Sequence, residues 1–306
     1  MASNNLTTTL TANMAIYYDK VLLDQLRAHL VFHGVGTQKN LPRNGGKIVY
    51  WTRYNLMPAV TTALTESVVP ASTALTSQTV SAQLAQFGSY TSVSDLVDMT
   101  AIDSVVESAV YQLGYAAALT LDTVDRNLLD AGTNVAFANG KAATSLLNTD
   151  VLTGADVRKT ARILAAADVM PWMGNDFGAI IHVNNAYDLM GDTATGGWVN
   201  SNTYVDVSNI YNGEIGKLYG VRFMQTTRVS FAAITGGNSY KVHFLGNGAL
   251  GVVDFDGGIH TYVKNPNDYD TSNPINQFST VGWKFTYANK ILDDNRQVTL
   301  NVGSAF

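Results

Sequence analysis

The stretch NGEIGKLYGVRFMQTTR (residues 212–228) carries residues that could hold a phosphate: Gly213, Gly216 and Gly220 punctuate it, and Lys217 directly follows a glycine. A Walker A loop reads G-x-x-x-x-G-K-[ST], because backbone amides must wrap the phosphates while a hydroxyl holds magnesium. Here Tyr211 stands where the first glycine is needed, and Leu218 where the hydroxyl is needed. The dinucleotide fingerprint G-x-G-x-x-G is missing too, and the residues that follow read as a strand rather than a helix. The glycines therefore predict a turn leading into a strand, where positive φ or close backbone approach is required.

The remaining chemical candidates are weaker. His29, His33, His182, His243 and His260 are scattered, and only the first two, four apart, could share a helix face. The zinc pattern H-E-x-x-H needs Glu where Leu30 stands. Two polar residues near a helix end is the plainer reading. DFDGG (254–258) opens like a calcium loop but lacks Asp or Asn at the fifth position and Glu at the twelfth, which leaves an ordinary turn. The absence of cysteine excludes disulfides, thiolate nucleophiles and thiolate metal sites. No G-x-S-x-G occurs. The residues assign no catalytic group, cofactor or metal, and the chain reads as a non-enzyme.

The elements that would position such residues are clearer than the residues themselves. Ile16, Val21, Leu22, Leu26 and Leu30 predict a helical amino-terminal arm over 13–31, ended by a Gly- and Pro-containing linker. Residues 45–90 lack helical period: KIVYWTRY and QTVSAQLAQF read as two strands of a long ribbon, with Val80, Ala82 and Leu84 on one face. Its tip is irregular, and Lys47, Arg53 and Glu66 are its only charges. Such a ribbon is marginal alone in water and prone to aggregate, so a partner surface should cover it. A helix of roughly 30 residues is predicted over 94–131, with Thr100 and Asp103 as a capping box and Gly132 as its stop. Thr153 and Asp156 predict a second capped helix, GAIIHV a buried strand, and Asn184 or Asn185 the cap of a short third helix. A strand, a turn at Asp293-Asp294-Asn295 and a last strand close the chain.

With 306 residues a sizeable core is available, and 46% of the residues are hydrophobic. Only 14% are charged, against about 25% in a typical soluble domain. That low density suits either a secreted Ser/Thr/Asn-rich protein or a subunit whose surface is covered by copies of itself. Net charge −5 argues against a dedicated nucleic-acid binder. No signal peptide is visible, and no run approaches the ~20 apolar residues that span a bilayer.

Taken in order, these parts resemble the major capsid protein of tailed bacteriophages, with its α+β Hong Kong phage-type fold. TALTESVVP (62–70) resembles the family's loop tip, and FGSYTSVSDLVD (87–98) its approach to the long spine helix. NGEIGKLYGVRFMQTTR resembles the turn and strand of the axial domain, and STVGWKFTYANKILDDNRQVTLNVGS the closing segment. The subgroup typified by short-tailed coliphages is the most similar. The resemblance implies an N-terminal arm (1–44), an extended loop (45–91), a peripheral domain with the spine helix (92–148), an axial α/β domain (149–265) and a return to the peripheral domain (266–306). It implies a shell of hexamers and pentamers around packaged double-stranded DNA, assembled in the bacterial cytoplasm. The implied partners are copies of the chain, a separate scaffolding protein, a portal protein and decoration proteins. DNA would lie near without specific contacts, and no membrane or cofactor is implied. The structural and assembly candidates are Gly213, Gly216, Gly220, Lys47, Trp51, Arg53, Glu66, Val80, Leu84 and Trp283. In a shell, Val80, Leu84 and the strand ending in Trp51 would lie across the adjacent subunit. A rival reading makes the α/β unit a small-ligand or sugar-binding module or an enzyme.

Overall fold

The structure, a computed structural model, describes residues 30–42, 45–55, 57–100, 105–172, 174–194, 197–198, 214–264, 273–275, 277–304 and 306. Residues 13–29 of the helix expected over 13–31, with His29, Asp103 and Gly213, lie outside these residues, and Leu30 and Val31 at its expected end are not helical.

Strands β1 (Thr37–Leu41), β2 (Ile48–Tyr54), β3 (Ser77–Gln83) and β4 (Ala85–Ser94) come first. Helices α1 (Asp95–Thr100) and α2 (Val105–Asp130) follow. Much later in the chain, β11 (Leu250–Lys264) and β12 (Phe278–Ile291) return to these elements. They complete a four-stranded sheet in the order β1-β11-β12-β4. Alternation along β12 explains what each face meets. Val281, Trp283, Phe285 and Tyr287 are buried at every second position, and α2 lies across this face. Trp283 stacks on Phe285 at 5.3 Å between ring centres. On the opposite face Ala288 and Val253 join Val49, Ala82 and Leu84 in a separate apolar cluster. The sheet is thus sandwiched between the spine helix and the base of the ribbon.

The spine helix has 26 residues in its described part, about 39 Å at 1.5 Å per residue. Its buried stripe runs through Val110, Leu113, Ala117, Ala118, Leu121, Asp122, Asp125 and Leu129. The capping box expected of Thr100 with Asp103 falls partly outside the described residues. Helical structure already begins at Asp95, with the Ser94 hydroxyl accepting from the Val97 amide, and the Thr100 hydroxyl donates back to Leu96. The helix does stop before Gly132, where a Cβ would fall 1.8 Å from the Gln297 side chain.

Extending the same core, the chain forms β5 (Val135–Phe137), helix α3 (Gly154–Ala166), β6 (Phe177–His182), helix α4 (Val183–Met190), β7 (Glu214–Leu218) and β8 (Val221–Thr226). Then come β9 (Phe231–Ile234), β10 (Gly237–Leu245) and, at the end, β13 (Gln297–Gly303). Their sheet has the order β5-β13-β10-β6-β8-β7, with β9 on β10. Thr153 caps α3 as expected, accepting from the Asp156 amide. The cap of α4 is His182 rather than Asn184 or Asn185, because the helix starts directly at the end of β6. DFDGG is neither calcium loop nor turn: it runs inside β11, where the pairing with β12 slips between Phe255 and Ile259. Two sequence boundaries shift as well. β11, expected in the α/β unit, pairs with β12 and β1, while β13 leaves β12 and joins the α/β sheet.

Candidate assembly surface

Strands β2 and β3 form an antiparallel ribbon with Ile48 opposite Gln83 and Tyr54 opposite Ser77. Seven residues at about 3.4 Å each give roughly 24 Å of ribbon. At its far end the Asn55 amide donates to Thr76 O at 2.9 Å, and the Asn55 side chain to Thr76 Oγ1 at 3.0 Å. Beyond that clamp every described residue from 57 to 76 is exposed. Val60 is 81% exposed, Leu64 74% and Val69 89%, with Met57, Val68 and Leu75 beside them. Glu66 is the single charge among them. Pro58 and Pro70 keep both sides of the tip from pairing as regular strands. So many exposed apolar side chains on one loop mark an interaction site.

The base of the ribbon is fixed to its own subunit. Leu84 is 9% exposed and Val49 2%, both against Val253 and Ala288. Leu84 is therefore not free to cover a neighbour, and Val80 and Trp51 are half-buried at home. The cause is the alternation already described, which points Val49, Ala82 and Leu84 at the sheet. Trp51 lies over Gly251, where an added Cβ would stand 3.0 Å from the indole and 2.8 Å from Leu292. Arg53 pairs with Asp293 in the turn before β13 and donates to Gln78 at 3.1 Å. Arg296 reaches the same Asp293 oxygen at 3.4 Å. Lys47, exposed, stands where the chain enters β2. What the ribbon leaves for a partner is its tip and the outer face of β2, where Ile48, Tyr50 and Tyr54 are exposed.

A groove of about 710 Å³ opens where β4 meets α2, lined by Thr91, Val93, Val97, Val105, Ala109 and Phe278. Leu96 and Met99 on α1 and Tyr90 on β4 stand exposed on the same elements.

The chemical candidates end in structural roles. Lys217 reaches Asp176 at 3.6 Å and Arg222 reaches it at 3.7 Å. Gly220, at φ +73°, and Tyr219, at φ +52°, form the two-residue turn between β7 and β8, which needs positive φ at both positions. Gly216 sits at the pairing irregularity of β7, with φ +137°. His243 Nε2 lies 3.1 Å from Asp130 and its Nδ1 3.2 Å from Thr299 Oγ1, an Asp–His–Thr order that resembles a hydrolase relay. His243 and Thr299 are 1% and 2% exposed, however, so no substrate reaches the hydroxyl. Burial disfavours the Asp130 carboxylate, but His243, Ser230 and Lys241 outweigh it and hold its pKa below the usual range.

A second buried cluster ties the amino-terminal segment to the spine helix. Asp122 Oδ1 accepts from the Val31 and Phe32 amides at 3.0 and 2.8 Å. Asp125 lies 3.1 Å from His33 Nδ1 and accepts from Tyr287 at 2.6 Å and Asn289 at 2.8 Å. The expectation that His33 is merely a polar residue near a helix end is corrected by these contacts. Burial raises the pKa of Asp122, the Val31 and Phe32 amides and Arg228 offsetting only part of it. Sequence reasoning missed both aspartates. Their signal was present, since positions 118, 122, 125 and 129 continue the apolar stripe.

A family profile described as "Phage capsid protein" matches residues 75–287. The capsid of Ralstonia phage GP4 is similar in structure, with TM-score 0.72 and 14% identity over 89% of this chain and 88% of that one. The capsid asymmetric unit of cyanophage Pam1 gives TM-score 0.69 and 15% identity over 92% of each chain. The head structure of Helicobacter pylori bacteriophage KHP40 gives 0.63 and 11%, over 89% of this chain and 91% of that one. No curated protein sequence matches. These likenesses share the α+β fold over nearly the whole chain, and they lend no support to a sugar-binding or enzymatic reading of the α/β unit.

Proposed function

Since the chain belongs to the phage capsid protein family, we propose that it closes an icosahedral head by self-association into hexamers and pentamers around double-stranded DNA. It is a structural component of the virion. The observation that carries the mode of assembly is the ribbon: a base locked into its own sheet, and a tip with one charge whose Met57, Val60, Leu64, Val68, Val69 and Leu75 are exposed among the described residues. Each Val, Leu or Met of the tip gains about 1.5–3 kcal/mol when fully covered. A neighbouring subunit supplies such cover, and the groove between β4 and α2, lined by polar residues such as Ser108 and Gln112 as well as apolar ones, offers one place for it.

The division into arm, extended loop, peripheral and axial domains, with β11 and β13 exchanged as described, a separate scaffolding protein, a portal protein, decoration proteins, assembly in the bacterial cytoplasm and membership of the short-tailed coliphage subgroup belong to the same proposal. They rest on the ordered local resemblances. Electron microscopy of the chain, expressed alone and with candidate scaffolding proteins, tests the reading. Shells, or rings of five and six subunits, are expected. Small monodisperse particles under every condition would overturn it.

A further inference from the structure

We propose that His33 is a proton-controlled clasp that holds the amino-terminal segment on the spine helix, closed when the imidazole is charged and loosened when it is neutral. The segment arrives through Val31 and Phe32, whose amides both donate to Asp122, and Phe32 itself is fully buried. His33 follows, 8% exposed, with Nδ1 between Asp125 Oδ2 at 3.1 Å and the Tyr287 oxygen at 3.3 Å. Leu30 and Val31 add apolar packing, partly buried against the core that includes the buried stripe of α2.

The surrounding charges decide how the clasp responds. Helix α2 contributes Asp122 and Asp125, and β11 contributes Asp254. Against them stands Arg228, 3.6 Å from Asp122. Strand β12 offers only the neutral Tyr287 and Asn289, and burial with Asp125 alongside pushes the Tyr287 phenol far up, so it stays protonated. Three carboxylates thus face two cations when His33 is charged, and one when it is not. Burial alone disfavours the imidazolium, but the hydrogen bond and charge of Asp125, backed by Asp254 and Asp122, outweigh it and raise the His33 pKa. A raised pKa means stability that is complete below the ordinary imidazole value and lost as pH rises through the folded one. Asp125 keeps its bonds from Tyr287 and Asn289 in either state, so the expected change is a loosened segment, not an unfolded subunit.

The clasp lies within one subunit and stands whether or not the chain builds shells. The test measures amide exchange at Val31 and Phe32 in the full chain, as protection factors from about pH 6 to about pH 9, while NMR follows the His33 ring. Protection is expected to fall severalfold along the ring's own titration, with a midpoint above the ordinary imidazole value. In His33→Gln, which keeps a donor for Asp125 but cannot charge, protection should be flat over that range. If His33→Gln does not fold, the coincidence of ring titration and loss of protection in the unaltered chain decides. An identical fall in His33→Gln, flat protection in the unaltered chain, or a ring midpoint at or below the ordinary value would overturn the proposal.

Discussion

Two carboxylates in the buried stripe of a helix are costly unless every oxygen is used. Asp125 meets that demand with His33, Tyr287 and Asn289, three partners from two distant parts of the chain. Removing it strands all three. Asp125→Ala is therefore expected to cost about 3 kcal/mol, read as a lowered denaturation midpoint, while Asp125→Asn should cost less because it still accepts hydrogen bonds. The pH response of the subunit follows from the same groups. His33 and Asp122 both bind protons more readily when folded, so their contribution to stability grows as pH falls through their folded pKa values. Asp130 has the opposite sign: its contribution is present above the unfolded carboxylate value and lost as pH falls through the folded one. Denaturation midpoints should accordingly rise on mild acidification and fall only in strong acid. A monotonic loss of stability from neutral pH downward would contradict this assignment.

Among the elements, the ribbon depends on a single contact plane. Trp51 rests on Gly251 because glycine alone leaves room, so Gly251→Val should unseat the ribbon base at a cost of about 1–3 kcal/mol. A change in Trp51 fluorescence with α2 still helical would check it. Replacing residues 56–75 with a short Gly-Ser turn makes the complementary prediction: the spine-helix domain stays folded and stable shells do not form. Sequence made these elements visible to different degrees. The ribbon strands, the spine helix and its Gly132 stop, and the Thr153 cap were legible, since period and capping are local properties. The seating of Leu84 and Val49 on the subunit's own sheet was not. It depends on Val253 and Ala288, some two hundred residues later, and no local pattern encodes that pairing. The same reason hid the exchange of β11 and β13 between sheets. Arg53 was noticed only as a rare charge, because its partner Asp293 is 240 positions away.

At the scale of the whole molecule, low charge and an exposed apolar tip belong to one design: a subunit completed by copies of itself. With net charge −5, the prediction is that the chain confines DNA as a passive wall, since phosphate-driven binding needs clustered Lys and Arg. Purified subunits should show no tight binding to free DNA at physiological salt, and filter binding or fluorescence anisotropy would reveal the contrary. The central claim is that the tip is ordered by a neighbour. Hydrogen exchange across residues 57–76, compared between the free subunit and the assembled particle, tests it most directly. In the free subunit these amides, exposed and outside any sheet, should exchange rapidly. In the particle they should be strongly protected, while the amides of the spine helix change little. Equal protection of the tip in both states would show that it needs no neighbour, and would contradict the account.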